Sequence, residues 1–467
     1  MTKPLVMAAI TAALFNSSLV FADSETEAIK QQLDAIKNQY GQAIKALEDR
    51  LLKAEKSAQQ ASDQAQKLAV KLEESQASRP APAPAPARQN SFNPAISLIL
   101  DGRFASFDND PEDYEIPGFA LGNEAGLGEK GFSVGHSELV MSANIDDKFF
   151  GKMTLAFAEH EGETETELEE AFIQTLALGN GLNIKAGRFL SEIGYLNQQH
   201  SHTWDFADAP LIYRGLFGDQ LIDDGVQMTW LAPTDIFLQL GTELFSGSRF
   251  PAAGSTNGIG AWTAFAHVGG DIGIAQSWQL GLSHWQANDI EGRDSGGHAH
   301  EGEDAETPSF SGDSEINALT LVYKWAPNGN PNNQHLKFQF EYFDRKEDGE
   351  VVMLGSGSPL EMTSYDGHQK GWYAQAVYKF KPQWQAGFRY DHLDSNNRGS
   401  DADVLTEAGL DNEGHNPQRY SATIDWLPSE FSRLRLQYNQ DKSYGETDHQ
   451  LFLQYTMSLG SHAAHQF

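Results

Sequence analysis

The last strand-length segment of the chain constrains the fold more than any other feature. From His449 to Leu459, the side chains alternate between an apolar set and a mostly polar set. The apolar set is Leu451, Leu453, Tyr455, Met457 and Leu459, and the other set is Gln450, Phe452, Gln454, Thr456 and Ser458. A period of two is typical of a β-strand whose two faces meet different environments. The segment therefore predicts a strand with lipid or a protein core on one side only.

Sixteen segments between Ala95 and Leu459 carry strand signals of this kind, and the connections between them alternate in length. Tight turns at 146–148, 179–181, 233–234, 381–382 and 428–430 are followed by much longer connections. Short turns on one side and long loops on the other are typical of an up-and-down membrane barrel, which also has an even strand count. The sequence therefore predicts an all-β transmembrane barrel of about 16 antiparallel strands, with middle strands at 275–287, 314–326, 334–346 and 370–380.

Three segments precede this barrel. Residues 1–22 combine an early Lys3 with an apolar run and predict a secretory signal peptide. Residues 23–78 have heptad spacing between Ile29 and Leu72, which predicts a periplasmic α-helical coiled coil, although one amphipathic helix would give a similar pattern. Residues 79–90 hold a Pro-Ala repeat and predict an extended linker. The barrel is then expected to occupy residues 91–467.

The composition excludes several classes of protein. The chain has no Cys, so it is neither a disulfide-stapled scaffold nor a Cys-based metal protein. A net charge of −32 argues against nucleic-acid binding, because phosphate contacts need clustered Lys and Arg. Neither a Gly-x-Ser-x-Gly elbow nor a His-Glu-x-x-His motif occurs. We therefore expect a protein that is not an enzyme.

A signal peptide, a coiled coil, a Pro-Ala spacer and a barrel ending near Phe467 together resemble the outer-membrane porins of the phosphate-selective porin superfamily. The segment from Tyr455 to Gly460, followed by the terminal Phe467, also resembles the C-termini of a proteobacterial group labelled zinc-regulated outer-membrane receptors or porins. The resemblance implies a homotrimer in the outer membrane of a Gram-negative cell, with outer-membrane lipid and lipopolysaccharide as partners and the coiled coil in the periplasm.

The function expected from these features is passive diffusion of small hydrophilic solutes or ions, with divalent metal such as zinc among the candidates. A protein of another class has the same elements: a tether that joins the outer membrane to the cell wall through the coiled coil. Deleting residues 24–88 distinguishes them, because a porin would still conduct and a tether would lose its function.

One long connection, from Ser191 to Gly225, follows the fifth predicted strand, where sixteen-stranded porins have a loop that narrows the lumen. Its charged residues are Glu192, Asp205, Asp208, Arg214, Asp219, Asp223 and Asp224, which predict an acidic constriction. Alternatively, some of these acids cap turns or pair locally.

Strand parity places six basic residues on the inner face of the barrel. They are Arg103, Lys337, Lys379, Arg389, Arg433 and Arg435. A basic wall opposite an acidic loop would set up a transverse field that favours polar solutes. In the alternative interpretation these bases pair with acids of the lumen such as Glu341, Glu243 and Asp391.

Two pairs of histidines suit weak Zn²⁺ binding, because imidazole and carboxylate are ligands that zinc prefers. His200 and His202 lie in the predicted constriction, and His298 and His300 lie in an acidic loop. Alternatively, these histidines lie in solvated loops and bind no metal. Other acidic loops, such as 108–113, suit Ca²⁺ or Mg²⁺ bridging to lipopolysaccharide phosphates. No other cofactor is expected.

Overall fold

The structure is a computed structural model and describes residues 94–122, 125–160, 163–176, 178–254, 258–295, 307–355 and 361–460. The predicted signal peptide, coiled coil and linker lie outside the described residues. Within those residues no helix is both long enough and apolar enough to cross a membrane.

Strands make up most of the described chain. In order they are β1 (Ala95–Ser106), β2 (Gly131–Val134), β3 (Ser137–Asn144), β4 (Phe149–His160), β5 (Glu163–Thr175), β6 (Leu182–Leu190), β7 (Ile222–Leu231), β8 (Phe237–Phe245), β9 (Ala261–Ile272), β10 (Gln276–Asp294), β11 (Thr307–Trp325), β12 (His335–Leu354), β13 (Glu361–Lys381), β14 (Trp384–Ser395), β15 (Arg398–Gly399), β16 (Gln418–Ser429), β17 (Ser432–Lys442) and β18 (Asp448–Gly460). Two short helices, α1 (Leu211–Phe217) and α2 (Ala402–Glu407), lie in connections, as do the 3₁₀ turns Pro111–Asp113, Ser201–Thr203 and Pro327–Gly329.

The strands form one closed antiparallel sheet. β1 closes the ring, because it pairs with β18 on one side and with β2 and β3 on the other. β2 and β3 are two pieces of one wall position, and the two-residue β15 pairs with β13 beside a connection. The wall therefore has sixteen strand positions, which confirms the predicted strand number.

The alternation in the sequence corresponds to the two sides of this wall. On β18, Leu453 and Tyr455 point outward and are 42% and 41% exposed, whereas Gln450 and Phe452 point inward and are fully buried. β12 repeats the pattern, with the inner-face Gln339 inaccessible. An apolar outer face and a mainly polar inner face result.

Four middle strands are much longer than predicted. β10, β11, β12 and β13 have 19, 19, 20 and 21 residues. The outward positions of β12 change from Tyr342 to Asp344, Lys346, Asp348 and Glu350, so the apolar alternation stops while strand pairing continues. About 9–11 residues suffice to cross a bilayer. The additional length therefore projects beyond the apolar belt, at the end that leads to connections 295–306 and 355–360.

Candidate pore constriction

The connection between β6 and β7, residues 191–221, folds against the inner wall of the barrel and is called the lumen loop below. It contains the turn Ser201–Thr203 and helix α1, and all seven residues of α1 are buried. A seven-residue helix cannot bury its whole surface within its own loop. The inner wall has to cover it, and three kinds of contact do so.

The first kind of contact is apolar. The ring of Phe343, on the inner face of β12, lies 5.2 Å from the ring of Tyr213 and 5.5 Å from that of Phe217, both with edge-to-face angles. Tyr373 of β13 approaches Tyr213 from the other side, at 6.2 Å between centroids. These rings belong to a buried cluster that spans the loop and the wall. Such aromatic pairs stabilise a contact beyond the area that they bury.

The second kind of contact joins wall carboxylates to the backbone of the loop. Glu341 accepts hydrogen bonds from the backbone N–H groups of Tyr195, at 2.7 Å, and Leu196, at 3.1 Å. It also accepts one from the hydroxyl of Tyr213 at 3.0 Å. At the start of the loop, Glu243 accepts hydrogen bonds from the backbone N–H of Glu192 at 2.9 Å and from the side-chain hydroxyl of Ser191 at 2.6 Å. Buried loop N–H groups thus find acceptors on the wall, as burial requires.

The third kind of contact is ionic and is called the arginine anchor below. The carboxylate of Asp208 lies 2.7 Å from Arg389 of β14 and 3.1 Å from Arg419 of β16. It also accepts hydrogen bonds from Gln437 and Asn439 at 2.7 and 2.8 Å. Burial alone would raise the pKa of Asp208, but the guanidinium groups of Arg419 and Arg389 outweigh it and hold the pKa well below its usual range. The middle of the loop is therefore fixed in its charged state.

Other members of the predicted basic wall also contact the loop. Lys337 lies 3.0 Å from the carboxylate of Asp205. Burial alone would raise the pKa of Asp205, but the ammonium group of Lys337 outweighs burial and lowers it. Arg433 and Arg435 donate to the backbone carbonyl of Trp204 at 3.1 and 2.9 Å. The bases thus bind the loop directly and do not face it across open lumen.

The remaining predicted bases make contacts of other kinds. Arg103 of β1 donates to the carbonyl oxygen of Leu127 at 2.7 Å. Lys379 lies on β13 and is partly buried. Within the loop, Arg214 is buried and its Nε lies 3.5 Å from Asp219. The pair of Arg214 with Asp219 thus compensates one acid of the loop.

Two of the predicted loop acids belong to the wall. Asp223 and Asp224 are residues of β7. Asp224 pairs with Arg188 of β6 at 2.8 Å. Asp223 accepts from the Ser246 hydroxyl at 2.8 Å and the Gly247 N–H at 2.9 Å. They fasten the point where the loop returns to the barrel.

Glu192, at the start of the lumen loop, has no guanidinium beside it. Burial raises its pKa to about 7, Lys185 opposes the rise, and the negative charge of Glu243 adds to it. Glu192 is therefore expected to titrate near neutral pH.

A second polar cluster joins the loop to β3 and β5 and is called the histidine–glutamate junction below. Its members are His136, Glu138, Glu169, Glu170, His200 and His202. The Nδ1 atom of His200 lies 3.4 Å from Glu138 and 3.3 Å from Glu169, and its Nε2 lies 2.7 Å from Glu170. Burial disfavours the imidazolium, but Glu138 and Glu170 outweigh burial and raise the pKa of His200 well above its usual range.

A β-bulge assembles the acids of this junction. Thr154 of β4 pairs with Glu170 of β5, but the next residue, Leu155, pairs with Leu168, so Glu169 is left without a partner in the ladder. The bulge lets two consecutive side chains, Glu169 and Glu170, both be buried, which regular alternation forbids. This local irregularity is typical of strands that aim side chains at a site.

The sequence predictions identified only part of this junction. His200 and His202 are in it, whereas His298 and His300 lie outside the described residues. The four wall residues were missed, and the adjacent acids Glu169 and Glu170 within a strand were the available signal. Their proximity to His200 depends on the path of the loop, which local sequence does not reveal.

The barrel is similar to solved outer-membrane proteins. OmpT of Vibrio cholerae in its trimer form gives a TM-score of 0.45 at 10% identity, covering 79% of this chain and 99% of that one. An anion-selective porin from Comamonas acidovorans gives 0.46 at 11% identity, with 79% and 99% covered. The channel DcaP of Acinetobacter baumannii gives 0.47 at 12% identity, with 79% and 96% covered. The architecture of this barrel is established by its own strand pairing.

No family model matches the sequence. A curated relative, an uncharacterized protein of Aquifex aeolicus, is 32% identical over 410 residues, which cover 81% of each chain. With identity of that extent, the chain belongs to the same protein family as the Aquifex aeolicus protein.

Proposed function

We propose that the protein is an outer-membrane channel for passive diffusion of small hydrophilic solutes or ions. The observation that carries the proposal is a closed barrel with an apolar outer face and a mainly polar inner face, into which the lumen loop folds. A belt of exposed apolar side chains fits a lipid environment, and a polar lumen fits a hydrated path. The lumen loop would then set the width of that path.

The acidic balance of the chain bears on the solutes. With a net charge of −32, the protein favours cations at its surface, so divalent metal ions such as Zn²⁺ are included among the proposed solutes. Membership of the phosphate-selective or zinc-regulated porin groups stays a prediction from the sequence resemblance.

Conductance of the purified full-length protein in a planar lipid bilayer tests this proposal. We expect discrete current steps, and a reversal potential in a KCl gradient that reports cation preference. The matched comparison is a deletion of residues 24–88, which should leave the steps intact. Absence of steps from protein with an intact β-sheet circular dichroism spectrum would reject the channel.

A homotrimer is part of the same proposal. We expect the current steps to occur in groups of three and chemical crosslinking to stop at three chains. Lipopolysaccharide is proposed as a partner through divalent cations at outer acidic loops such as 108–113. Crosslinking that stops at one chain would reject the trimer while leaving the diffusion channel standing.

A further inference from the structure

The histidine–glutamate junction differs from an ordinary ion-pair network in one respect. Three of its ligand-type atoms find no hydrogen-bond partner among the described residues: Oε2 of Glu138, Oε2 of Glu169 and Nδ1 of His200. The side chains of Glu138 and Glu169 are 0% and 4% exposed, so water does not substitute freely for a partner. Leaving buried carboxylate oxygens unsatisfied is costly, so their convergence needs an explanation.

The distances from His200 Nδ1 to the two carboxylate oxygens match those between ligands of one metal ion. His200 Nδ1 lies 3.4 Å from Glu138 Oε2 and 3.3 Å from Glu169 Oε2. Two ligands held about 2.1 Å from a tetrahedral Zn²⁺ lie about 3.4 Å apart. One ligand atom from each of His136, Glu138 and Glu169 also lies within 4.8 Å of the others. A single cation among them, bound with release of the Nδ1 proton of the His200 imidazolium, would satisfy all three atoms.

The surrounding contacts hold these ligands as the outer shell of a metal site does. The opposite nitrogen of His200, Nε2, lies 2.7 Å from Glu170, which leaves Nδ1 facing the other two carboxylates. The second oxygen of Glu138 meets His202 at 2.7 Å, and that of Glu169 meets His136 at 2.7 Å. An imidazole whose other nitrogen is fixed by a carboxylate is a common metal-ligand arrangement.

We infer that the histidine–glutamate junction is a binding site for one divalent transition-metal ion, held by His200 Nδ1, Glu138 Oε2 and Glu169 Oε2. One imidazole with two carboxylates suits Zn²⁺ and its first-row neighbours. The ion bridges the lumen loop to strands β3 and β5, so its occupancy fixes the loop against the wall. That effect on the pore rests on the proposed channel function, whereas binding itself does not.

Titration of the refolded full-length protein with Co²⁺, followed by its visible absorption and by competition with Zn²⁺, tests the inference. We expect one equivalent of Co²⁺ with the spectrum of an oxygen- and nitrogen-ligated ion, displaced by Zn²⁺. His200→Ala and Glu169→Gln should each abolish this spectrum. Glu170→Gln, which removes only the outer-shell partner, should weaken affinity about 10–100-fold.

Two matched variants control for histidines elsewhere. His284→Ala removes a histidine bonded to Asn317 away from the junction, and the pair His298→Ala with His300→Ala removes the two histidines of the acidic segment between β10 and β11. Neither should change the Co²⁺ spectrum. Wild-type affinity in His200→Ala, or loss of the spectrum only in the His298→Ala, His300→Ala double variant, would overturn the inference. If His200→Ala does not fold, Glu169→Gln gives the same test.

The experiments test metal binding and conduction separately, so one proposal can be rejected without the other. A protein that conducts but binds no Co²⁺ would remove the metal site and leave the channel. A protein that binds one Co²⁺ but does not conduct would remove the channel and leave the metal site.

Discussion

The arginine anchor and the histidine–glutamate junction both fasten the lumen loop to the wall, but they balance charge in different ways. At the anchor, the carboxylate of Asp208 meets two permanently charged guanidinium groups and two amides. At the junction, three carboxylates meet Lys152 and histidines, and three ligand atoms stay unpartnered. Both oxygens of Asp208 thus have partners among protein groups, whereas at the junction one oxygen each of Glu138 and Glu169 has no hydrogen-bond partner among the described residues.

Buried charge therefore has two roles in one loop. Removing Arg389 or Arg419 would leave the buried Asp208 carboxylate with one fewer charged partner, which is strongly destabilising. At the junction, removing the Glu138 or Glu169 carboxylate takes away a ligand of the proposed ion, so the effect of the substitution depends on metal. Substitutions at the two sites should therefore differ in size and in sensitivity to metal.

The largest effect is expected at the arginine anchor. Arg389→Ala should destabilise the docked loop by about 3–5 kcal/mol, because it leaves the buried charges of Asp208 and Asp391 without that partner. Denaturant unfolding in lipid vesicles measures the loss, and single-channel recording should show a larger and noisier conductance. Lys346→Ala, which removes an exposed pair with Glu315, is the control and should cost no more than about 1 kcal/mol. Equal effects of the two variants would contradict the role of the anchor.

The next largest effect is expected from Zn²⁺ binding, which should stabilise the loop through the junction and not through the anchor. Zn²⁺ at about 100 times its Kd should stabilise the wild-type loop by about 2.7 kcal/mol, because a ligand of the docked state adds its binding free energy. Glu169→Gln should show no such gain and should resemble the wild type in chelator. Thermal unfolding with and without Zn²⁺ gives both numbers. A Zn²⁺ gain that persists in Glu169→Gln would mean that the ion binds elsewhere.

An intermediate effect is expected at Glu341, which holds the loop through hydrogen bonds and not through an ion pair. Glu341→Gln keeps the shape but weakens acceptance from the N–H groups of Tyr195 and Leu196, at a cost of about 1–3 kcal/mol. Hydrogen exchange of these two amides should become faster. Glu315→Gln on the outer face is the matched control. Unchanged exchange at Tyr195 would show that the wall carboxylate does not hold this part of the loop.

The smallest effect is a pH dependence from Glu192. Its pKa is raised from 4.5 to about 7 in the folded protein, so docking favours the protonated acid. The stabilisation is complete below the ordinary pKa and is lost as pH rises through about 7. Protease cleavage within the loop should therefore increase between pH 5 and pH 8 in the wild type and less in Glu192→Gln. The same slope in both proteins would assign the pH dependence to other groups.

The strands were predictable because each one sits between two environments. β1 and β6 have the bounds that alternation predicts, since the outer and inner faces differ along their whole length. The predictions for the four long middle strands stopped short, at residues such as Lys346, because the outward positions beyond Tyr342 are charged and the apolar alternation no longer marks a strand. Pairing with neighbours, and not a change of environment, maintains those extensions.

The lumen loop was predictable as a feature but not as a site. Its length and acidity were visible in the sequence, and its anchors were not. Asp208 and Arg389 are 181 residues apart, and His202 and Glu138 are 64 apart. A bulge at Glu169, which is a property of the pairing between β4 and β5, supplies a further ligand.

Period-two alternation is a local record of two environments, so the sequence alone predicts the barrel, its sixteen strands and, within the apolar belt, the side of the wall on which a strand residue lies. Which inward charges meet depends on the tertiary structure. Closing the ring sets the register of every strand, and the path of the loop then selects the wall residues that it contacts. These contacts join distant parts of the chain, so the difference between the arginine anchor and the histidine–glutamate junction exists only in the folded barrel.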